Sequence, residues 1–393
     1  MGEARNEVDK VVIGGASAAG LTAAETLRRE GYTAEVTLVG DELHLPYDRP
    51  PLSKQVLAGA WEPEKVALRK DEAYAEAGIG LRLGATAVGL SVDDRAVKLA
   101  DGSRVTYDGL IIATGVRPRL LPFGHDLAGV HVLRTLDHVL ALRTELLEAS
   151  RLVVVGAGFL GCEAAASAEQ LGLDVTIVDP LPQPMIRQFG AEIGKYVAEM
   201  HRENGVAVRT GIGVSGFQGT QRVTGVELDD GSVLPADVVL VAIGAVPATD
   251  WLLDSGVTVL DGVVCDATCQ AAPGVYAAGD VASWHHNGFS SRVRVEHRMN
   301  ATEQGMAAAR NLLGAQQPFT PVPYFWTDQY NTKIAAFGLL TPDADVTVTQ
   351  GDPATGRFVA RYEHDGRFVG VLGWNMPREL TKERKALATS LAG

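Results

Sequence analysis

The residues best suited to chemistry are two glycine-rich turns, each set between an apolar run and a helix-forming stretch. The second is complete: Gly156–Ala157–Gly158–Phe159–Leu160–Gly161 reads G-x-G-x-x-G. In such a turn the first glycine makes the bend, the second lets the backbone approach a pyrophosphate, and the third lets the helix lie close to the strand. The N–H groups that open the helix face the phosphates, and the helix dipole favours their charge. Asp179 follows 23 residues after Gly156. A carboxylate there accepts hydrogen bonds from ribose hydroxyls and repels a 2′-phosphate, which favours NADH over NADPH. The first turn, Gly15–Ala16–Ser17–Ala18–Ala19–Gly20, has Ser17 where the middle glycine is usual, and Asp41 lies 26 residues after Gly15. Serine is small and its hydroxyl can reach a phosphate, but backbone approach is tighter. Two dinucleotide turns imply two dinucleotides. A hydride donor beside a flavin acceptor is the economical pair, NAD(H) and FAD.

The elements around the turns repeat. The runs Lys10–Val11–Val12–Ile13 and Arg151–Leu152–Val153–Val154–Val155 predict buried strands, each leading through its turn into a helix, over 21–29 and to about Gln170. Second strands over 34–39 and 174–178 end at the acids. Each copy then carries a hairpin, turned at Asp101–Gly102 and at Asp230–Gly231, and a buried strand running into Ala113–Thr114–Gly115 or into Ile243–Gly244. After a linker over 245–249 come short strands, the segment Ala278–Gly279–Asp280 and a helix over about 301–313. Alternating segments over 333–339, 345–349, 358–362 and 368–374, closed by a helix over 377–391, predict a small α+β domain.

Leu45–Pro46–Tyr47–Asp48–Arg49–Pro50–Pro51–Leu52–Ser53–Lys54 and Phe325–Trp326–Thr327–Asp328–Gln329–Tyr330 resemble signatures of the FAD-dependent NADH:ferredoxin reductases of bacterial oxygenase systems. The likeness continues through Ala113–Thr114–Gly115, Leu133–Arg134–Thr135, the second turn with Cys162 and Glu163, and Ala278–Gly279–Asp280, in order over nearly the whole chain. It implies an α/β fold of two Rossmann-like dinucleotide-binding domains plus a C-terminal α+β domain. FAD would be bound by a discontinuous domain, 1–114 and 245–320, split by an inserted NAD(H) domain, 115–244, with 321–393 at the end. It implies hydride transfer from NADH to FAD, then single electrons to a [2Fe–2S] ferredoxin that supplies a cytochrome P450 or a ring-hydroxylating dioxygenase. By the same likeness Asp41 holds the FAD adenosine ribose, and Arg49, Lys54 and Arg134 line the flavin or its pyrophosphate. Asp280 touches the ribityl chain and Trp326 packs near the isoalloxazine, while Gly15, Ala19, Gly20, Ala87, Ala113, Thr114, Gly115, Gly244, Gly279 and Arg298 complete the cofactor surfaces with Gly156, Gly158, Gly161 and Asp179. Lys54 and Glu163 would sit at the flavin N5 as the catalytic pair. The residues alone also allow blander readings: Glu163 as an acid complementing the helix dipole, and Trp326 as a core aromatic.

Composition bounds the alternatives. With 393 residues, 46% hydrophobic and 21% charged, the chain is globular and too long for one core. Its net charge of −13 disfavours nucleic acid and anionic membranes. Ferredoxins are commonly acidic too, so docking needs a local basic surface, with Arg292, Arg294, Arg298, Arg310 and, on the last helix, Arg378, Lys382, Arg384 and Lys385 as candidates, although a charge run like the last is more often a solvated helix face. Three cysteines, Cys162, Cys265 and Cys269, form neither C-x-x-C nor C-x4-C, which excludes disulfide reductase chemistry on the flavin and points to structural roles in a reducing, cytoplasmic setting. Cys162 falls at a helix start, where its pKa could be lowered. His201, His285, His286 and His297 match no metal spacing. Two other functions fit the same motifs: an NADH oxidase or quinone-type flavoprotein without a protein partner, and a redox-controlled signalling flavoprotein similar to apoptosis-inducing factor.

Overall fold

The structure, a computed structural model, describes residues 8–392. It divides into two compact units. The first comprises residues up to Asp48, Ala67–Arg117 and Pro247–Pro323, and the second Arg49–Val66, Pro118–Val246 and Tyr324–Gly393.

A six-stranded sheet organises the first unit, in the order Gln270–Ala272, Val275–Ala277, Gly109–Ile112, Lys10–Gly14, Glu35–Val39, Ile79–Arg82. All pairs but the first are parallel. Val11, Val12, Ile13, Leu110, Ile111 and Ile112 are wholly buried, as a parallel strand covered on both faces requires. The chain leaves Lys10–Gly14 toward Glu35–Val39 on one side and returns as Gly109–Ile112 on the other. That reversal opens a crevice at the carboxyl ends of these two strands, the usual place for a dinucleotide. The predicted helix starts earlier than expected, at Ala18, and ends at Arg29. The helix over Arg298–Leu312 packs against it so closely that a Cβ on Gly305 would sit 2.5 Å from the Ala19 carbonyl oxygen. The first hairpin forms Ala96–Leu99 and Arg104–Thr106 in a three-stranded sheet with Ala87–Ser91.

The second unit repeats the plan. Its five parallel strands run Ala207–Thr210, Asp174–Asp179, Arg151–Val155, Val238–Val241, Val130–His131, with the reversal at Arg151–Val155. The second hairpin forms Gly225–Leu228 and Val233–Pro235. Where the sequence suggests a plain linker over 245–249, Ala245–Pro247 is a short strand. The end of the chain is a five-stranded antiparallel sheet, Tyr324–Gln329, Thr332–Gly338, Arg367–Trp374, Arg357–His364, Asp345–Asp352, closed by the helix Pro377–Ala392. Its first strand was not among the expected elements. Short Leu52–Val56, which follows Pro50–Pro51, is a turn of π-helix in this unit.

Candidate functional site

Both glycine turns have the geometry that a dinucleotide needs. Gly15 has φ 122° and Gly156 φ 108°, and a Cβ on either would collide with the strand beyond, 2.0 Å from the Ala113 oxygen or 2.4 Å from the Ala242 oxygen. The third glycines are as tight: a Cβ on Gly20 or Gly161 would lie 1.9 or 2.0 Å from the carbonyl oxygen of Gly15 or Gly156. The middle position differs. Gly158 is extended, with nothing nearer its missing Cβ than Gln188 Nε2 at 3.8 Å. Ser17 is also extended, at φ −136°, a conformation any residue adopts. The serine therefore strains nothing, and the middle glycine serves open space rather than an unusual φ. Ser17 and Gly158 are the N-cap residues of their helices; the Ser17 side chain makes no cap bond, and Gly158 has no side chain to make one. The opening N–H groups of both helices are left for a ligand's phosphates.

Asp179 ends its strand as expected. Its Oδ2 accepts the Ala157 N–H at 2.7 Å and its Oδ1 the Leu181 N–H at 2.8 Å. These bonds fix the carboxylate beside the turn and leave acceptor capacity on both oxygens for ribose hydroxyls. Asp41 is exposed beyond its own strand. Near the first turn, Ala19 and Ala113 are buried, the Thr114 hydroxyl donates to the Ala248 oxygen, and the Gly115 oxygen accepts the Ala248 N–H. Gly279, at φ 79°, is 3.0 Å from Ala19 Cβ by its absent Cβ, and its N–H is held by Gln304 Oε1. Asp280 follows it. Gly244, at φ 99°, has open space around it. Ala87 opens its strand opposite Leu99. Arg298 donates to Asp48 and to Thr302.

In the second unit, Arg49 donates to the Arg134 carbonyl at 2.8 Å. Lys54 Nζ lies 2.7 Å from Glu163 Oε2, with both side chains nearly buried at 12% and 8% exposure. The same oxygen accepts the Ser53 hydroxyl, and Glu163 Oε1 accepts the Thr327 hydroxyl at 2.8 Å. Glu163 is thus no helix-dipole acid: the helix Phe159–Gln170 has no acidic residue in its first turn. An ammonium and two hydroxyls converge on this carboxylate in a nearly dry setting. Ser53 and Thr327 carry no warning in the sequence beyond adjacency to Lys54 and Trp326. Trp326 is half-exposed on the opposite face of its strand, stacked on Tyr324 at 5.8 Å.

The cysteines are buried and unpaired. Burial pushes the Cys162 thiol up, overriding the helix start, and lifts that of Cys269 to about 12. Among the described residues no cluster of three or more His, Cys, Asp or Glu could hold a metal. His201 is a satisfied core residue, bonded to Tyr330 and Gln329, and His286 Nε2 meets the Pro321 oxygen. Among the basic candidates for docking, four are committed inside the first unit. Arg292 donates to the Cys265 and Ser283 oxygens, Arg294 pairs with Asp261 and Glu296, Arg298 with Asp48, and Arg310 with Glu30. Arg378, Lys382, Arg384 and Lys385 are exposed on the last helix.

A family model for pyridine nucleotide-disulphide oxidoreductases matches residues 9–305. The chain belongs to the pyridine nucleotide-disulphide oxidoreductases. A second model, the reductase C-terminal domain, matches residues 324–392. Among relatives of this oxidoreductase, rhodocoxin reductase of Rhodococcus erythropolis is 38% identical, covering 97% of this chain and 90% of its own. The ferredoxin–NAD(+) reductase component of the biphenyl dioxygenase system of Paraburkholderia xenovorans is 35% identical, covering 98% and 94%. The reductase in a crystal structure of the covalent putidaredoxin reductase–putidaredoxin complex superimposes with a TM-score of 0.92 at 35% identity, covering 96% and 93%. No helix among the described residues is long and apolar enough to cross a membrane.

Proposed function

We propose that this oxidoreductase is an FAD-dependent NADH:ferredoxin reductase, which passes electrons to a [2Fe–2S] ferredoxin serving a cytochrome P450 or a ring-hydroxylating dioxygenase. The observation that carries this reading is the pair of glycine turns, each at the reversal of a parallel sheet and each opening a helix without a side-chain cap, in a chain alike over nearly its full length to reductases of such systems. Bound FAD supplies the chemistry, accepting a hydride and releasing electrons singly.

The chain's residues bind and orient. Residues 1–114 and 245–320 form the FAD domain, with Gly15, Ala19, Gly20, Asp41, Ala87, Ala113, Thr114, Gly115, Gly279, Asp280 and Arg298 on its cofactor surface. Residues 115–244 bind NAD(H) through Gly156, Gly158, Gly161, Asp179 and Gly244, and residues 321–393 add Trp326 to the flavin surroundings. Asp179 accepts the ribose hydroxyls and disfavours a 2′-phosphate, which makes NADH the donor. Arg49 and Arg134 offer positive charge to the cofactor. Lys54 sets an ammonium where the flavin gains electrons, and Glu163 fixes that ammonium in place. The exposed Arg378, Lys382, Arg384 and Lys385 supply the basic surface for an acidic ferredoxin. Three free, buried thiols suit a reducing compartment, and we place the protein in the cytoplasm.

Steady-state reduction of [2Fe–2S] ferredoxins with NADH and with NADPH tests the reading. Turnover with NADH and a ferredoxin far above turnover on O2 alone supports it. Fast turnover on O2 that no ferredoxin increases contradicts it.

A further inference from the structure

Glu163 is the end of a longer chain of hydrogen bonds. Thr327 Oγ1 donates to Glu163 Oε1 and accepts from Gln329 Nε2 at 3.1 Å. Gln329 Oε1 lies 2.9 Å from His201 Nε2, and His201 Nδ1 lies 2.8 Å from the Tyr330 hydroxyl. Thr327, Gln329 and His201 are at most 2% exposed, so no water competes for these bonds.

The inventory of donors fixes the direction of the chain. Burial pushes the His201 pKa down to about 4, so the ring is neutral and carries one N–H. Gln329 gives its amide nitrogen to Thr327, so its oxygen faces His201 and needs a donor. His201 must then carry its proton on Nε2, and its bare Nδ1 accepts from Tyr330. Every donor therefore points the same way: Tyr330 to His201, His201 to Gln329, Gln329 to Thr327, Thr327 to the Glu163 carboxylate. Aligned bonds of this kind polarise one another toward the negative end. If the Gln329 amide turned over, its oxygen would take the Thr327 proton and Glu163 would lose a donor. The Glu163 carboxylate, which only accepts and so takes the Thr327 proton, prevents this, and the His201 tautomer follows from it.

The backbone agrees with a role for this chain. Tyr330 opens the two-residue loop between Gln329 and Thr332 with φ 53°, a left-handed position that ordinarily favours glycine. Its hydroxyl nevertheless caps the chain.

We propose that Thr327, Gln329 and His201 are positioning residues that hold Glu163, and through it the Lys54 ammonium, in one orientation for the reduction of the flavin. The inference rests on the proposed role of Lys54 and deepens it.

The test uses the holoenzyme. Flavin reduction by NADH and the flavin midpoint potential are measured for wild type, Lys54→Met, Thr327→Val, Thr327→Ser and the Lys54→Met/Thr327→Val double variant. Nuclear magnetic resonance of isotope-labelled histidine reports the His201 tautomer. Thr327→Val is expected to slow reduction about tenfold, the scale of one hydrogen bond to a charged group, and to lower the potential, while Thr327→Ser restores both. In the Lys54→Met background Thr327→Val should add nothing, because its effect runs through the ammonium. An equal loss in both backgrounds means a merely structural role and overturns the inference. So does a slow Lys54→Met beside a Thr327→Val of wild-type rate. A Lys54→Met that is itself as fast as wild type removes the underlying role of Lys54. The tautomer needs only the wild-type protein: a proton on Nε2 supports the one-way chain, and a proton on Nδ1 overturns it whatever the stability of the variants.

Discussion

Lowering the pH should destabilise the second unit through His201. Desolvation holds the folded-state pKa near 4, against about 6.5 for an unfolded histidine. The unfolded chain therefore binds the proton first as pH falls, and the stability that the neutral ring contributes is complete above about pH 6.5 and gone below about pH 4. The whole window corresponds to about 3 kcal/mol, and about 2 kcal/mol of that disappears between pH 7 and pH 5. His201 is fully buried, so solvent does not screen the effect. The perturbation is His201→Gln, which keeps a donor and an acceptor but does not titrate. Urea unfolding of both proteins at pH 7 and pH 5 gives the result as a difference of differences. His297, which burial also pushes down to about 4, titrates in the same window in both proteins and drops out. The stability gap between wild type and variant should narrow by about 2 kcal/mol on acidification. A gap that does not change with pH would refute the neutral, buried ring and the chain built on it.

Three other outcomes follow from the site. Gly158→Ala places its Cβ in open space and should raise the KM for NADH several-fold while leaving the melting temperature unchanged, whereas Gly161→Ala, aimed at the Gly156 oxygen, should lower the melting temperature; the pair is read by thermal denaturation and initial rates. Asp179→Ser removes the carboxylate proposed to meet the ribose and weakens two backbone bonds, so kcat/KM for NADH should fall about tenfold or more and the preference over NADPH should shrink. Ferredoxin reduction should slow as ionic strength rises and in a Lys382→Glu/Lys385→Glu variant, with flavin reduction by NADH unchanged; a flat salt profile would exclude the last helix as the docking surface.

The parts of the fold that the sequence displays are those with strict local requirements. Buried parallel strands need unbroken apolar runs, and Val153–Val154–Val155 supplies one. A turn whose Cβ would strike a neighbouring carbonyl admits only glycine, so Gly15 and Gly156 mark the turns plainly. The strand Tyr324–Gln329 escaped because its buried face is Phe325, Thr327 and Gln329. Polar residues at inward positions break the alternation that reveals a half-buried strand, and Trp326 on the other face drew the attention instead. For the same reason the partners of Glu163 were not legible. Ser53 and Thr327 lie 110 and 164 residues from it in the chain, and hydroxyls recruited at that separation leave no spacing to read. The arginines near residue 300 show the converse. As a cluster of charge they read as a docking surface, yet Arg294, Arg298 and Arg310 pair with Asp261, Asp48 and Glu30, which lie in other segments.

The proposed function requires electrons to pass from NADH through one bound flavin to a one-electron carrier. An anaerobic titration of the purified yellow protein tests this directly. NADH is added until the flavin band is bleached, and an oxidised [2Fe–2S] ferredoxin is then supplied. The flavin colour should return as the ferredoxin is reduced, with each NADH equivalent reducing two ferredoxins. A protein that stays colourless after incubation with FAD, or a bleached flavin that no ferredoxin reoxidises, would contradict it.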